Sequence, residues 1–133
     1  MIPSDTPFEE DQALLLYAIE SAIHHTANAD PEIVDWDVDE ALEALVVRFG
    51  ADVTGREPRP RRLSERAERV YLAVEAVCDD RRGLPVEGST DAGVESPALF
   101  VAAFKRLRKS IKLWRAEGGR RGYLNYIAQF LNS

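Results

Sequence analysis

The apolar spacing between Ser96 and Ser133 constrains this chain more than any other feature. Phe100, Phe104, Leu107, Ile111 and Trp114 recur at intervals of four, three, four and three residues. That period sets them on one face of a helix. Ser96 precedes them as an N-cap residue, whose hydroxyl accepts a free backbone N–H of the first turn. Pro97 follows at the first helical position, where its missing N–H costs nothing. Gly118-Gly119 predicts the end of the helix, since glycine is favoured just past a helix C-terminus. Tyr123, Leu124, Ile127, Phe130 and Leu131 then restart the helical period. A helix this short must dock on the rest of the chain to persist. Tyr123, Ile127, Phe130 and Leu131 are expected to cover the core, and Trp114 to be mostly buried.

The same periodicity recurs upstream. Thr6-Pro7-Phe8-Glu9 reads as a capping box opening a helix that reaches about Asn28. Leu15, Ile19, Ala22 and Ile23 form its stripe, widened by Leu14, Leu16 and Tyr17. Asp30-Pro31 opens a segment read as a separate turn through Trp36. Asp37-Val38-Asp39-Glu40 reads as a second capping box. Val38, Leu42, Leu45 and Phe49 carry that helix to Gly50. Ser64 is the N-cap expected for a third long helix. Leu63, Ala67, Val70, Val74 and Val77 form its stripe, with Tyr71 and Cys78 alongside, and it ends near Arg82. Residues 51–62 and 83–95 hold the clusters of Gly, Pro and Ser that mark linkers. No segment alternates as a strand does.

These elements predict an all-α fold: a compact bundle of four main helices plus a short C-terminal fifth helix. At 133 residues the chain is expected to form a single helical domain over 1–133. A chain of this length buries roughly two-thirds of its surface on folding, so it needs no covalent staple. Cys78 is the only cysteine, which excludes an intramolecular disulfide and a thiolate metal cage. The N-terminus is polar and acidic, without the pattern of a signal peptide. No apolar run approaches the roughly 18 residues of a membrane span. A cytoplasmic protein with no membrane partner is the expectation.

Charge is divided unevenly along the chain. Residues 1–54 hold thirteen acidic residues and a single basic one, Arg48, for a net charge of −12. Residues 55–133 hold sixteen basic and ten acidic residues, for +6. Two basic segments stand out. Arg56, Arg59, Arg61, Arg62, Arg66 and Arg69 precede or begin the third long helix. In the fourth, Lys105, Arg108, Lys109, Lys112 and Arg115 fall on an arc about 120° wide, beside the apolar stripe and outside it. Arg120 and Arg121 follow in the glycine break. Arginine suits bidentate contact with carboxylate or phosphate. The candidate binding residues are therefore Lys105, Arg108, Lys109, Lys112, Arg115, Arg120 and Arg121. The partner expected for them is an acidic protein surface or a second copy of the chain, given its own acidic first 54 residues. The alternative is a nucleic acid bound by segments 56–69 and 105–121. No helix-turn-helix, zinc-finger or RNA-binding signature accompanies those segments.

His24-His25 point about 100° apart on a helix and do not present one metal-binding face. No nucleophile elbow or phosphate loop occurs; Gly118-Gly119-Arg120-Arg121-Gly122 lacks the required spacing. Glu40-x-x-Glu43 resembles the first half of the acidic motif of the all-α nucleotide pyrophosphohydrolases. The resemblance implies a Mg²⁺ held jointly with a Glu-x-x-Asp on another helix. The nearest match, Glu75-x-x-x-Asp79, is one residue longer than that motif. The reading that follows from the whole sequence is a non-enzymatic helical interaction or regulatory domain, self-associating, with no cofactor. The metal-dependent hydrolase is a further alternative.

Overall fold

A computed structural model describes residues 7–55, 62–83, 97–118 and 122–132. Five helices follow in order: α1 (Pro7–Ala29), α2 (Asp35–Thr54), α3 (Glu65–Gly83), α4 (Pro97–Gly118) and α5 (Gly122–Asn132). No strand occurs among the described residues, and the fold is an all-α bundle. The expected caps Thr6 and Ser96 lie outside the described residues, as does most of the linker 83–95.

Ser64 caps α3 as its sequence predicts, its Oγ accepting the Ala67 N–H at 3.2 Å. The start of α2 differs from expectation. Residues 31–32 form only a turn, in which the Asp30 carboxylate accepts the Glu32 N–H at 3.1 Å. The helix then begins at Asp35, so Trp36 lies inside it. Asp37 performs half of a capping box, its Oδ2 accepting the Val34 N–H at 3.0 Å. The reciprocal half needs a side-chain oxygen, which Val34 lacks. The other end of α2 also differs. The helix continues through Gly50 to Thr54 and stops at Gly55, whose φ of 75° is left-handed. The Gly55 N–H donates to the Ala51 carbonyl at 2.7 Å, closing the last turn.

Helix α2 packs along both α4 and α3, while α1 packs on α3 and α5 bridges α4 to α1. Phe49 of α2 sits between Phe100 and Phe104 of α4, with ring centroids 5.2 and 5.4 Å away. All three rings are fully buried. Leu15, Ile19 and Ile23 of α1 and Val70 and Val74 of α3 close the same core. Each such side chain contributes about 1.5–3 kcal/mol by leaving water.

The fifth helix is held by polar contacts as well as apolar ones. Asp35, fully buried at the start of α2, accepts the N–H of Tyr123 at 3.0 Å and of Leu124 at 3.1 Å. A helix N-terminus leaves free N–H groups and a partial positive charge, and the carboxylate satisfies both. Tyr123, Leu124 and Ile127 are buried beneath α5. One expectation here is corrected. Phe130 remains 46% exposed, edge-on to Tyr17 at 6.2 Å. Trp114 is mostly buried as expected, packed against the core with its ring stacked on Tyr126, centroids 4.5 Å apart.

Candidate interaction surface

Helices α2 and α4 run antiparallel. Phe49 at the end of α2 meets Phe100 and Phe104 early in α4, while Trp36 at the start of α2 meets Arg115 late in α4. Along their outer margin the two helices form a charged seam. Arg108 Nε donates to Asp39 Oδ1 at 3.0 Å, and its Nη2 lies 3.6 Å from Glu43 Oε2. Further along, the Arg115 guanidinium sits 5.2 Å above the Trp36 ring. Such a stack is worth about 0.5–1 kcal/mol where water reaches it.

This seam divides the basic arc expected from sequence. Arg108 and Arg115 turn toward α2 and are held within the chain. Lys105, Lys109 and Lys112 turn outward, are exposed, and form no ion pair among the described residues. Spacings of four and three residues align these three lysines in one row. Arg120 and Arg121 lie outside the described residues. The division follows from rotation about the helix axis. At 100° per residue, Arg108 and Arg115 fall next to the Phe104 and Ile111 side of α4, and the lysines one step farther around.

A second row lies across the seam on α2. Trp36, Glu40, Glu43 and Val47 follow at spacings of four, three and four. Trp36 is 60% and Val47 42% exposed. Glu40 forms no ion pair among the described residues. Sequence reasoning treated Trp36 as part of a separate turn and so missed this row. Its period becomes readable once the helix is known to start at Asp35.

Several other cations are held by acidic side chains elsewhere in the bundle. Arg66 lies 3.4 Å from Asp37 and 3.8 Å from Glu32, and Arg69 pairs with Asp30. Arg62 is exposed, while Arg56, Arg59 and Arg61 lie outside the described residues. Arg48 Nε lies 3.3 Å from Glu75, and its Nη1 lies 3.7 Å from Asp79. That second approach is near enough for charge attraction but makes no hydrogen bond, leaving Nη1 without one. Burial and the Glu75 carboxylate push the Tyr71 hydroxyl up to about 12. The carboxylates of the hydrolase-like pattern therefore stand apart. Glu43 faces Arg108 on the α4 side of α2, while Glu75 and Asp79 face Arg48 on the α3 side. No group of three or more His, Cys, Asp or Glu side chains converges as a metal site among the described residues. Cys78 is buried in the core.

A shallow groove of about 290 Å³ lies between α1, α4 and α5. Leu16, Tyr17, Glu20, Arg106, Tyr126 and Phe130 line it. Glu20 accepts the Tyr123 hydroxyl at 3.3 Å. Burial raises its pKa, against the opposing pull of that hydrogen bond and of the Arg106 charge.

Comparison with protein families, with curated proteins and with solved structures found no match to this chain. No helix among the described residues is long and apolar enough to cross a membrane.

Proposed function

We propose that this protein is a non-enzymatic interaction domain that binds an acidic protein surface through Lys105, Lys109 and Lys112. One observation carries the reading: these three lysines form an outward row with no ion pair among the described residues, while the neighbouring arginines Arg108 and Arg115 are held by α2. A row of long cations on a rigid helix attracts an acidic surface and orients it, and the attraction weakens with salt. Nucleic acid is the lesser candidate, because Arg66 and Arg69 of the other basic segment already pair with Asp30, Glu32 and Asp37. The proposal includes a cytoplasmic setting, which a lone reduced cysteine favours.

The test is a fluorescence titration with a labelled polyglutamate peptide, at low and high salt. Expected is binding that salt weakens and that Lys105→Glu/Lys109→Glu/Lys112→Glu abolishes while circular dichroism stays helical. A parallel titration with short RNA and DNA separates the alternatives. Binding to nucleic acid but not to polyglutamate would reject the proposal. So would polyglutamate binding that the triple variant leaves unchanged.

A further inference from the structure

From the α2–α4 face we infer that the acidic surface recognised by the lysine row is the α2 row of a second copy of this chain, in a two-fold symmetric dimer. The inference rests on the proposed role of Lys105, Lys109 and Lys112 and specifies their partner.

Symmetry supplies the first argument. A two-fold dimer uses the same patch on both subunits, so the patch must be complementary to itself. The α2–α4 face meets that condition. One half carries the lysine row and the other carries Glu40 and Glu43, with the Arg108 seam between them. Place a two-fold axis in the interface, parallel to the helices and along that seam. Each α2 then lies over the other copy's α4.

Register supplies the second. Rotation about such an axis keeps heights along the helices unchanged. Within one chain, Arg108 stands level with Asp39 and Glu43, and Arg115 level with Trp36. The second copy's Glu40 and Glu43 therefore stand at the height of Lys105, Lys109 and Lys112. The lysine row spans about 10 Å, at 1.5 Å per residue, and brackets the glutamates from both ends. A two-fold axis lying in the interface but perpendicular to the helices would instead lay α4 on α4 and set lysine against lysine.

Apolar groups supply the third. Trp36 and Val47 end the α2 row and are both exposed. In the dimer each copy's Trp36 reaches the height of the other's Lys112 and Arg115, where tryptophan and cationic stems pack well. Aromatic side chains in such positions are typical interface anchors.

The experiment is charge exchange, followed by sedimentation equilibrium on the full chain at low salt. One variant is Lys105→Glu/Lys109→Glu/Lys112→Glu. The other is Glu40→Lys/Glu43→Lys. Glu43 also meets Arg108, so Glu40→Lys alone serves as a gentler second variant, and circular dichroism checks each fold. The wild type should dimerise, and each variant alone should dimerise at least about tenfold more weakly. An equimolar mixture of the two multiple variants should regain the wild-type constant, since both α2–α4 contacts are again opposite in charge. Trp36→Ala should weaken the dimer without altering its salt dependence. A wild type that stays monomeric at low salt overturns the inference, as does a mixture no tighter than its components or a dimer that neither charge variant affects. If polyglutamate still binds the lysine row in any of those cases, the interaction domain stands and only its partner is wrong. Loss of polyglutamate binding as well removes both.

Discussion

The Asp35 carboxylate lies 3.0 Å from the backbone nitrogen of Tyr123, joining the first turn of α2 to the first turn of α5. The two residues are 88 positions apart. With the bond from the Leu124 N–H, the start of α2 caps the start of α5. Tyr123 is in turn fully buried and reaches Glu20 of α1 through its hydroxyl. A single residue at the head of α5 thus joins three helices.

Replacing Asp35 with alanine should leave the buried N–H groups of Tyr123 and Leu124 without acceptors. The expected loss is about 2–4 kcal/mol, measured by urea denaturation, since an orphaned buried donor costs about 1–3 kcal/mol. Asp35→Asn keeps one acceptor oxygen and should fall between the two. Truncation before Gly122 should cost more than either, because it also removes Tyr123, Leu124 and Ile127 from the core. Equal stability of Asp35→Ala and wild type would show that α5 is not held by this cap.

Gly122 is required where α5 turns against α4. A Cβ added there would stand 2.2 Å from the Trp114 carbonyl oxygen and 2.9 Å from its carbon. Both are backbone atoms, so relief needs a shift of one helix. Gly122→Ala should cost about 1–3 kcal/mol, in the range of overpacked cores. It should also loosen the Trp114–Tyr126 stack, readable as a red shift in tryptophan emission. An alanine variant with unchanged melting temperature and emission would contradict this.

Much of the fold was legible because helical period reports burial directly. Phe100, Phe104, Leu107 and Ile111 are buried as their spacing requires, and so are Leu15, Ile19, Val38, Leu42 and Phe49. Ser64 was legible because its hydrogen bond is local. Asp35 was not, since its partners are backbone groups of a distant helix that no spacing rule connects to it. The division of the basic arc was hidden for a related reason. Periodicity places Arg108 on the edge of the arc nearest the apolar stripe, but no spacing rule shows that Asp39 and Glu43 of α2 pack against that edge. Phe130 illustrates the reverse error. It keeps the period of a core residue, yet its ring lies beside Tyr17 and Tyr126 and stays 46% exposed, while Leu131 on the same turn packs against the core.

Glu20 should make stability depend on pH in a direction opposite to most paired carboxylates. Burial raises its pKa in the folded state, so the native chain binds this proton more tightly than the unfolded chain does. Its contribution is fully present below the ordinary glutamate pKa and is lost as pH rises through the raised folded value. Glu20→Gln removes the titration and keeps an oxygen for the Tyr123 hydroxyl. The variant should match wild type most closely in acid and gain on it as pH rises toward neutrality. Urea midpoints for both proteins, taken from about pH 4 to about pH 8, give that difference. A difference that stays flat, or that favours wild type at neutral pH, would count against the assignment.

The last prediction separates cations that build the fold from cations that face outward. Arg108 holds two acidic side chains of α2, and its side chain is only 26% exposed, with Asp39 at 14%. Removing it leaves Asp39 shielded from water and short of a partner. The penalty lies between that of an exposed pair, up to about 1 kcal/mol, and that of a broken buried pair, about 3–5 kcal/mol. Arg108→Ala should therefore cost about 1–2 kcal/mol, nearer the lower bound because water still reaches the guanidinium. Lys105→Ala, Lys109→Ala and Lys112→Ala should each stay within about 0.5 kcal/mol of wild type, as surface substitutions do. Added salt should shrink the Arg108 effect only in part, since a half-buried pair is poorly screened. Chemical denaturation of the four single variants at two salt concentrations decides the matter. Four equal effects would mean that the seam does not divide the arc, and the outward lysine row would lose its basis.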